Sequence, residues 1–360
     1  MRIFFFADYC IPIHAGSLDE RPLGGTETGL IHLSRVLHER GHEVKVFTSE
    51  ASPPPSPPEY PQYLPASALP LSGSCDLFVA VQSAPSIFQN VEASKIIYWT
   101  GDGPEQFTTF GIGDRRFRER VDLVLGVTDW HKKTLASQSG FPDEKIAVIR
   151  NGIAITNFQE EITREKNRLI FTSAPHRGLQ LALNAFDLVK QAVPDLSLHI
   201  FSGFDLYNRE APFSGPQTAT FEALKERCEK TDGCVLHGNV IQSELAKEYQ
   251  KSSLYIYPAT VSETSCITAI EAKAAGCPAV VSSLGGLPET VGRDGVVIPG
   301  EPASEVFMQQ FAETILKLLQ DNGAREKLST QAQESAEEHY SWKVVTDRFE
   351  AIVASLFANQ

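Results

Sequence analysis

The sequence has no run of about 18 apolar residues, no C-x-x-C pair, and too few basic residues to balance its acids. Each shortage excludes something. Without a long apolar run there is no membrane-spanning helix to place. The six cysteines (Cys10, Cys75, Cys228, Cys234, Cys266, Cys277) are scattered, which argues against a structural zinc site and for a reducing compartment. With 32 Lys and Arg against 45 Asp and Glu, the net charge is -13. That is a poor basis for nucleic-acid binding. It also weakens, without excluding, attraction to anionic membranes. Among nine histidines the pair His38 and His42 has i, i+4 spacing, but it sits at a helix end and reads as surface. No metal is expected.

At 360 residues the chain suits two domains of ordinary size. Met1-Arg-Ile-Phe-Phe-Phe-Ala7 lacks a basic start and a cleavage site, so it reads as a first strand and not as a signal peptide. After a loop, Gly24-Gly-Thr-Glu-Thr-Gly29 opens a helix to about Arg40, and Val44–Thr48 follows as a strand. This is a βαβ unit whose glycine pair lets backbone approach a ligand. A plain helix-start turn explains it equally well, and the spacing fails the dinucleotide fingerprint. Ser52 to Pro70 holds eight prolines and predicts an irregular surface excursion. Further strands are expected at 76–81, 95–99, 122–127 and 145–149, with a helix over 129–139.

The second half repeats the alternation, with strands near 169–172, 197–201, 234–237, 254–257, 279–283 and 295–298. The expected class is α/β: two doubly wound, Rossmann-like parallel sheets facing a cleft, with ligand at the C-terminal strand ends. Domains are expected at 1–157 and 158–338, with 339–360 forming a helix that returns to the first. Charged residues 160–166 suggest the linker.

The stretch Val261 to Pro278 organises this half. Thr264 or Ser265 can cap a helix whose first N–H groups, at Cys266, Ile267 and Thr268, make a phosphate seat. Glu263 flanks that seat on one side and Glu271 on the other. Carboxylates repel a phosphate, so the pair makes sense if it grips hydroxyls on either side of one, as in a sugar–diphosphate–ribose chain. The plainer reading is two acids favouring the helix dipole. Arg177, in the loop Ser173–Gly178, offers a guanidinium that could reach a diphosphate or stay solvated. The Gly285-Gly286 loop could wall the same strand edge or simply turn.

These motifs resemble those of family 4 glycosyltransferases of the GT-B architecture. The resemblance rests on Gly24-Gly25, Asn151-Gly152, His237-Gly-Asn-Val240, the Glu263/Glu271 pair, Gly285-Gly-Leu-Pro-Glu289 and Tyr340-Ser-Trp342, and it covers most of the chain. It implies a retaining, metal-independent transfer of a hexose-type sugar from a nucleotide-diphosphate sugar to an acceptor hydroxyl, in glycan or polysaccharide synthesis. No cofactor is implied. The acceptor it implies is a glycan or a lipid-linked sugar, with a cytoplasmic location and room for peripheral contact at the inner membrane face. Glu263 would contact donor-sugar hydroxyls and Glu271 the ribose. The diphosphate would rest on backbone around Thr264, Ser265, Cys266 and Ile267, with Arg177 and the Gly24-Gly25 turn.

The chain departs from the family pattern in three places. Thr172 stands where an Arg is usual, so Arg177 works alone or with Arg150. Trp99-Thr-Gly-Asp-Gly-Pro104 lacks the family's acceptor-side His, which makes Asp102 the candidate there, against a plain turn residue. The loop from Gly203 through Tyr207 is longer than usual. His131 reads as a helix-face residue before an acceptor contact, and the basic run Arg115 to Arg120 as a solvated face before an anion or lipid-headgroup site. Two other functions stay open: a donor-binding regulator whose catalysis has decayed, with Thr172 and Gly101 as the signs, and a nucleotide-sugar epimerase, which the acidic motif disfavours.

Overall fold

The computed structural model describes residues 1–203 and 216–358. The third departure, the loop beyond Gly203, lies outside them. The chain divides into two compact units, Met1–Gly152 with Tyr340–Gln360, and Ile153–His339. Each is an α/β, Rossmann-like domain.

In the first unit the strands are β1 (Arg2–Ala7), β2 (Glu43–Thr48), β3 (Gln62–Pro65), β4 (Cys75–Val81), β5 (Ala93–Trp99), β6 (Leu123–Gly126) and β7 (Ile146–Val148). They form one parallel sheet in the order β3-β2-β1-β4-β5-β6-β7. Runs such as Ile3-Phe-Phe-Phe6 and Leu77–Val81 are buried along their length, as a parallel sheet covered on both faces requires. The proline-rich excursion is more ordered than its composition suggests, because it contains β3. That strand pairs with β2 alone, and Pro65 ends it, so a residue without an N–H is tolerated at the sheet edge. Tyr63 and Leu69 turn inward as anchors.

Helix Trp342–Ala358 belongs to this unit and packs on helix Gly25–Glu39. Arg40 pairs with Asp347 at 2.8 Å and with Glu350, and His42 meets Glu350 at 3.0 Å. Asn151-Gly152 has a packing reason: a Cβ at Gly152 would lie 2.5 Å from the Trp342 ring. Arg150 lies over the ring of Tyr340, 5.6 Å from its centre.

In the second unit β8 (Arg168–Phe171), β9 (Ser197–Ile200), β10 (Cys234–Leu236), β11 (Leu254–Tyr257), β12 (Ala279–Ser282) and β13 (Val296–Ile298) form a parallel sheet. Its order is β10-β9-β8-β11-β12-β13. The charged 160–166 stretch is tied to this unit, since Arg164 donates to the carbonyls of Ser252 and, at 2.9 Å, Ala275. The strand order reverses between β8 and β11, and such switch points open a crevice at the C-terminal strand ends. The two loops that leave there are 172–178 and 258–266, which carry Arg177 and Glu263. No helix among the described residues is long and apolar enough to cross a membrane.

Candidate functional site

The second unit's switch point brings four of the expected residues into one constellation. After β11, Pro258 and the following loop carry the chain over the sheet edge to helix Ile267–Ala274. Glu263 lies in that loop and is buried. Its backbone forms an isolated parallel bridge with Gly285, and its carbonyl accepts from the Gly286 N–H. Its carboxylate accepts from the Tyr257 hydroxyl and from Arg177 Nη1, which lies 3.0 and 3.2 Å from the two oxygens. Burial first, and Glu263 second, push the Tyr257 hydroxyl above its ordinary range, so it stays protonated and donates. Ser173 Oγ in turn donates to the Tyr257 oxygen at 3.3 Å.

Arg177 is fixed from behind. Its carbonyl accepts from Thr260 N–H at 3.1 Å. The next residue, Gly178, has φ 142, and a Cβ there would lie 2.5 Å from the Pro258 carbonyl oxygen. Only glycine lets the two switch-point loops approach so closely.

The helix start differs from the expectation in one respect. Neither Thr264 nor Ser265 caps it. Cys266 is the N-cap and makes no side-chain cap bond, because its thiol points inward to Thr268 Oγ1 at 3.2 Å and toward Tyr255. Burial pushes that thiol up to about 12, so it is no nucleophile. The helix's own pattern leaves the N–H groups of Cys266, Ile267 and Thr268 without an intrahelical acceptor. Thr264, Ser265 and Ile267 are half-buried, whereas the helix body from Ala269 onward is buried. The positive end of this helix is therefore the part that reaches solvent.

Glu271 sits in the buried body, where its Oε1 accepts from Gln242 Nε2 at 2.9 Å. Burial pushes its pKa up to about 7, against the smaller opposing effect of Gln242 and Tyr249. The Tyr249 hydroxyl also meets Thr172 Oγ1. Thr172, which stands where the family's Arg is usual, is thus a buried hydrogen-bonding residue and presents no charge.

In the first unit Gly24 is the N-cap of helix Gly25–Glu39, with φ -72 and ψ 167. Neither Gly24 nor Gly25 takes a left-handed backbone. Asp102 lies in the loop after β5, half-buried, accepting at Oδ2 from Thr108 Oγ1 at 2.7 Å. Beneath it His131 is fully buried, on the inner side of helix Asp129–Ser139. Its Nδ1 accepts from Val127 N–H at 3.2 Å, and its Nε2 donates to the Asp102 carbonyl at 2.9 Å. Burial lowers its pKa to about 4, the Asp102 bond opposing that weakly. A neutral ring with its proton on Nε2 satisfies both bonds, so His131 holds the Asp102 loop from inside the fold. Among the described residues no three His, Cys, Asp or Glu side chains gather as metal ligands.

Sequence reasoning missed Tyr257 and Gln242. Tyr257 ends a buried strand and reads as core, and Gln242 opens a helix with nothing local to mark its reach to Glu271.

With that geometry in place, the chain's relationships are informative. Residues 154–335 match the family described as Glycosyl transferases group 1, and the protein belongs to that family. It is similar to the D-inositol 3-phosphate glycosyltransferase of Streptomyces bingchenggensis, at 26% identity over 273 residues, covering 72% of this chain and 57% of that one. The chain spans less than two thirds of the length of this relative. In fold it resembles the sucrose-phosphate synthase of Thermosynechococcus elongatus, with a TM-score of 0.75, 16% identity and complete coverage of both chains. It also resembles Anabaena HepE solved with UDP-glucose, with a TM-score of 0.73, 16% identity, and coverage of 99% and 100%. These likenesses establish the GT-B fold class.

Proposed function

We propose that the protein is a retaining, metal-independent glycosyltransferase that moves a hexose-type sugar from a nucleotide-diphosphate sugar to an acceptor hydroxyl in glycan or polysaccharide synthesis. One observation carries this reading: buried Glu263, held by Arg177 and Tyr257, lies just ahead of the solvent-reaching start of helix Ile267–Ala274. The helix start and Arg177 suit the diphosphate, Glu263 the donor-sugar hydroxyls, and Glu271 the ribose hydroxyls. Thr264, Ser265, Cys266 and Ile267 would supply backbone around the phosphates. HepE, which shares the fold, was solved with UDP-glucose, which supports a donor of this kind.

In the transfer, the bond between the anomeric carbon and the diphosphate breaks and the nucleoside diphosphate leaves with the electron pair. The acceptor oxygen bonds to that carbon and gives up its proton. Donors aimed at the departing oxygens stabilise the charge that develops there. In the resting site Arg177 is held on Glu263, so donor binding exchanges part of that ion pair for phosphate and sugar contacts. Asp102 is proposed as the acceptor-side polar group. Six thiols without disulfides support a reducing, cytoplasmic setting.

A panel of nucleotide-diphosphate sugars, ranked by thermal shift and then by release of free nucleoside diphosphate, tests this. Slow donor hydrolysis that vanishes in Glu263→Ala supports the enzyme. Tight donor binding without turnover, with or without acceptor, would convert the reading to a regulator.

A further inference from the structure

Glu271 is held by one face of a neighbouring helix. Helix Gln242–Lys251 follows β10 and packs on helix Ile267–Ala274, which follows β11, so both helices begin at C-terminal strand ends. Gln242 and Tyr249 are an i, i+7 pair and therefore share a face of their helix. Both meet Glu271. Gln242 Nε2 donates to its Oε1 at 2.9 Å, and the Tyr249 hydroxyl hydrogen-bonds the same carboxyl group. Tyr249 is fully buried, whereas Gln242, the first residue of its helix, is half-buried. The Tyr249 end of this cradle is closed, and the Gln242 end borders solvent.

Both partners are neutral. Burial favours the uncharged acid at Glu271, and against it Gln242 and then Tyr249 favour the carboxylate. Burial keeps the Tyr249 hydroxyl protonated, with Glu271 adding to the effect, and Thr172 Oγ1 meets the Tyr249 oxygen. An ionised carboxylate offers about four lone-pair sites. Two neutral donors leave sites over, and these suit further O–H donors that carry no charge.

We propose that Gln242 is a positioning residue for ribose recognition. It fixes the Glu271 carboxylate on its solvent side, so that the remaining acceptor sites meet the ribose 2′-hydroxyl, and it thereby selects ribonucleotide over 2′-deoxyribonucleotide donors. The proposal rests on the glycosyltransferase reading, in which Glu271 takes the ribose. A site built to bond a substrate hydroxyl rejects the analogue that lacks it, because its buried polar group is left unpaired. Without the amide the carboxylate is fixed by Tyr249 alone, and the distinction weakens. Ribose lies far from the anomeric carbon, so this contact holds the ground state and the transition state equally.

Binding of UDP, GDP and ADP, and of their 2′-deoxy counterparts, to the full chain by titration calorimetry tests this. For whichever base binds, the wild type is expected to favour the ribonucleotide by about 10- to 100-fold. In Gln242→Leu, and separately in Gln242→Met, that preference should shrink to about threefold, with the ribonucleotide held roughly tenfold more weakly and the deoxynucleotide little changed. In turnover the same variants should raise the donor KM about tenfold and leave kcat unchanged, the pattern of lost uniform binding. Their unfolding midpoints should stay close to the wild type, because Gln242 is half-buried at a helix start. A wild type that binds ribonucleotide and deoxynucleotide alike overturns the proposal, as do variants that keep the full preference or lose kcat instead. Tighter ribonucleotide binding in the variants also overturns it, by making the amide a plug that ribose must displace. A wild type that binds none of these nucleotides removes the transferase reading itself, and the proposal with it.

Discussion

Gly285 lies so close to Glu263 that a Cβ on it would sit 2.3 Å from the Glu263 carbonyl oxygen and 2.6 Å from its nitrogen. Its φ of 62 is in the left-handed region as well. The glycine loop after β12 is therefore the clamp on the backbone of the site acid, and the Tyr257–Arg177 pair is the clamp on its side chain. Gly285→Ala should cost about 3 kcal/mol, from backbone strain and overpacking together. Gly140→Ala is the control: its φ is 71 but nothing lies within 4 Å of a Cβ there, so about 1 kcal/mol is expected. Equal losses in urea unfolding would show that the contact with Glu263 contributes nothing.

Tyr257→Phe tests the side-chain clamp. It removes the hydroxyl that donates to Glu263 Oε1 and leaves the ring's packing intact. A hydrogen bond to a charged group is worth ~1.5–3 kcal/mol, so donor turnover should fall about 10- to 100-fold. Arg177 still holds the carboxylate, and the fold should persist with a midpoint shift of a few degrees at most. Unchanged kcat/KM in Tyr257→Phe would assign Glu263's orientation to Arg177 and the glycine loop alone.

Much of this is legible in the sequence. Alternating strand and helix patterns place the sheet edges, and the elements carrying Glu263, Glu271 and Arg177 fall where those patterns put them. What periodicity cannot show is which side chains meet across the switch point. Arg177 and Glu263 are 86 residues apart in sequence, and their ion pair depends on Gly178 letting two loops touch. The sequence does not mark the cap at Cys266, because a thiol is a poor cap and the local rule favours Thr264 or Ser265. There the tertiary pull of Tyr255 and Thr268 on the thiol prevails. In the proline-rich segment, composition argued for an irregular path, but Tyr63 and Leu69 bury enough to hold β3 on the sheet edge.

Glu271 sets a pH dependence with a definite sign. Its folded pKa, about 7, lies above the ordinary carboxyl value of 4.5, so between those values the native state binds more protons than the unfolded chain. Stability from this group is full below about pH 4.5 and is lost as pH rises through 7. At 1.36 kcal/mol per pH unit the span amounts to about 3 kcal/mol. Glu271→Gln keeps an oxygen for Gln242 and cannot ionise. It should match the wild type at pH 5 and exceed it by about 2–3 kcal/mol at pH 8. Parallel pH profiles for the two proteins in urea unfolding would rule this out.

His131 supplies the opposite slope. Burial lowers its pKa from 6.5 to about 4, so between those values the unfolded chain takes up a proton that the native ring refuses. Stability is then full above about pH 6.5 and declines as pH falls toward 4, by about 3 kcal/mol if the whole shift is realised. His32 and His199 are lowered to about 4 as well, so the wild-type slope alone does not isolate His131. The difference between wild type and His131→Asn does. The variant loses packing and the bond to Asp102, and at pH 7 it should be less stable by ~2 kcal/mol. Between pH 7 and pH 4.5 it should lose about 2 kcal/mol less than the wild type. Because the lost bond frees the Asp102 carbonyl, transfer to acceptor should fall in the variant while donor hydrolysis, which draws on the second unit's residues, holds. Equal acid slopes would mean the ring titrates in the folded state much as it does in water. Equal loss of hydrolysis and transfer would detach His131 from the acceptor side.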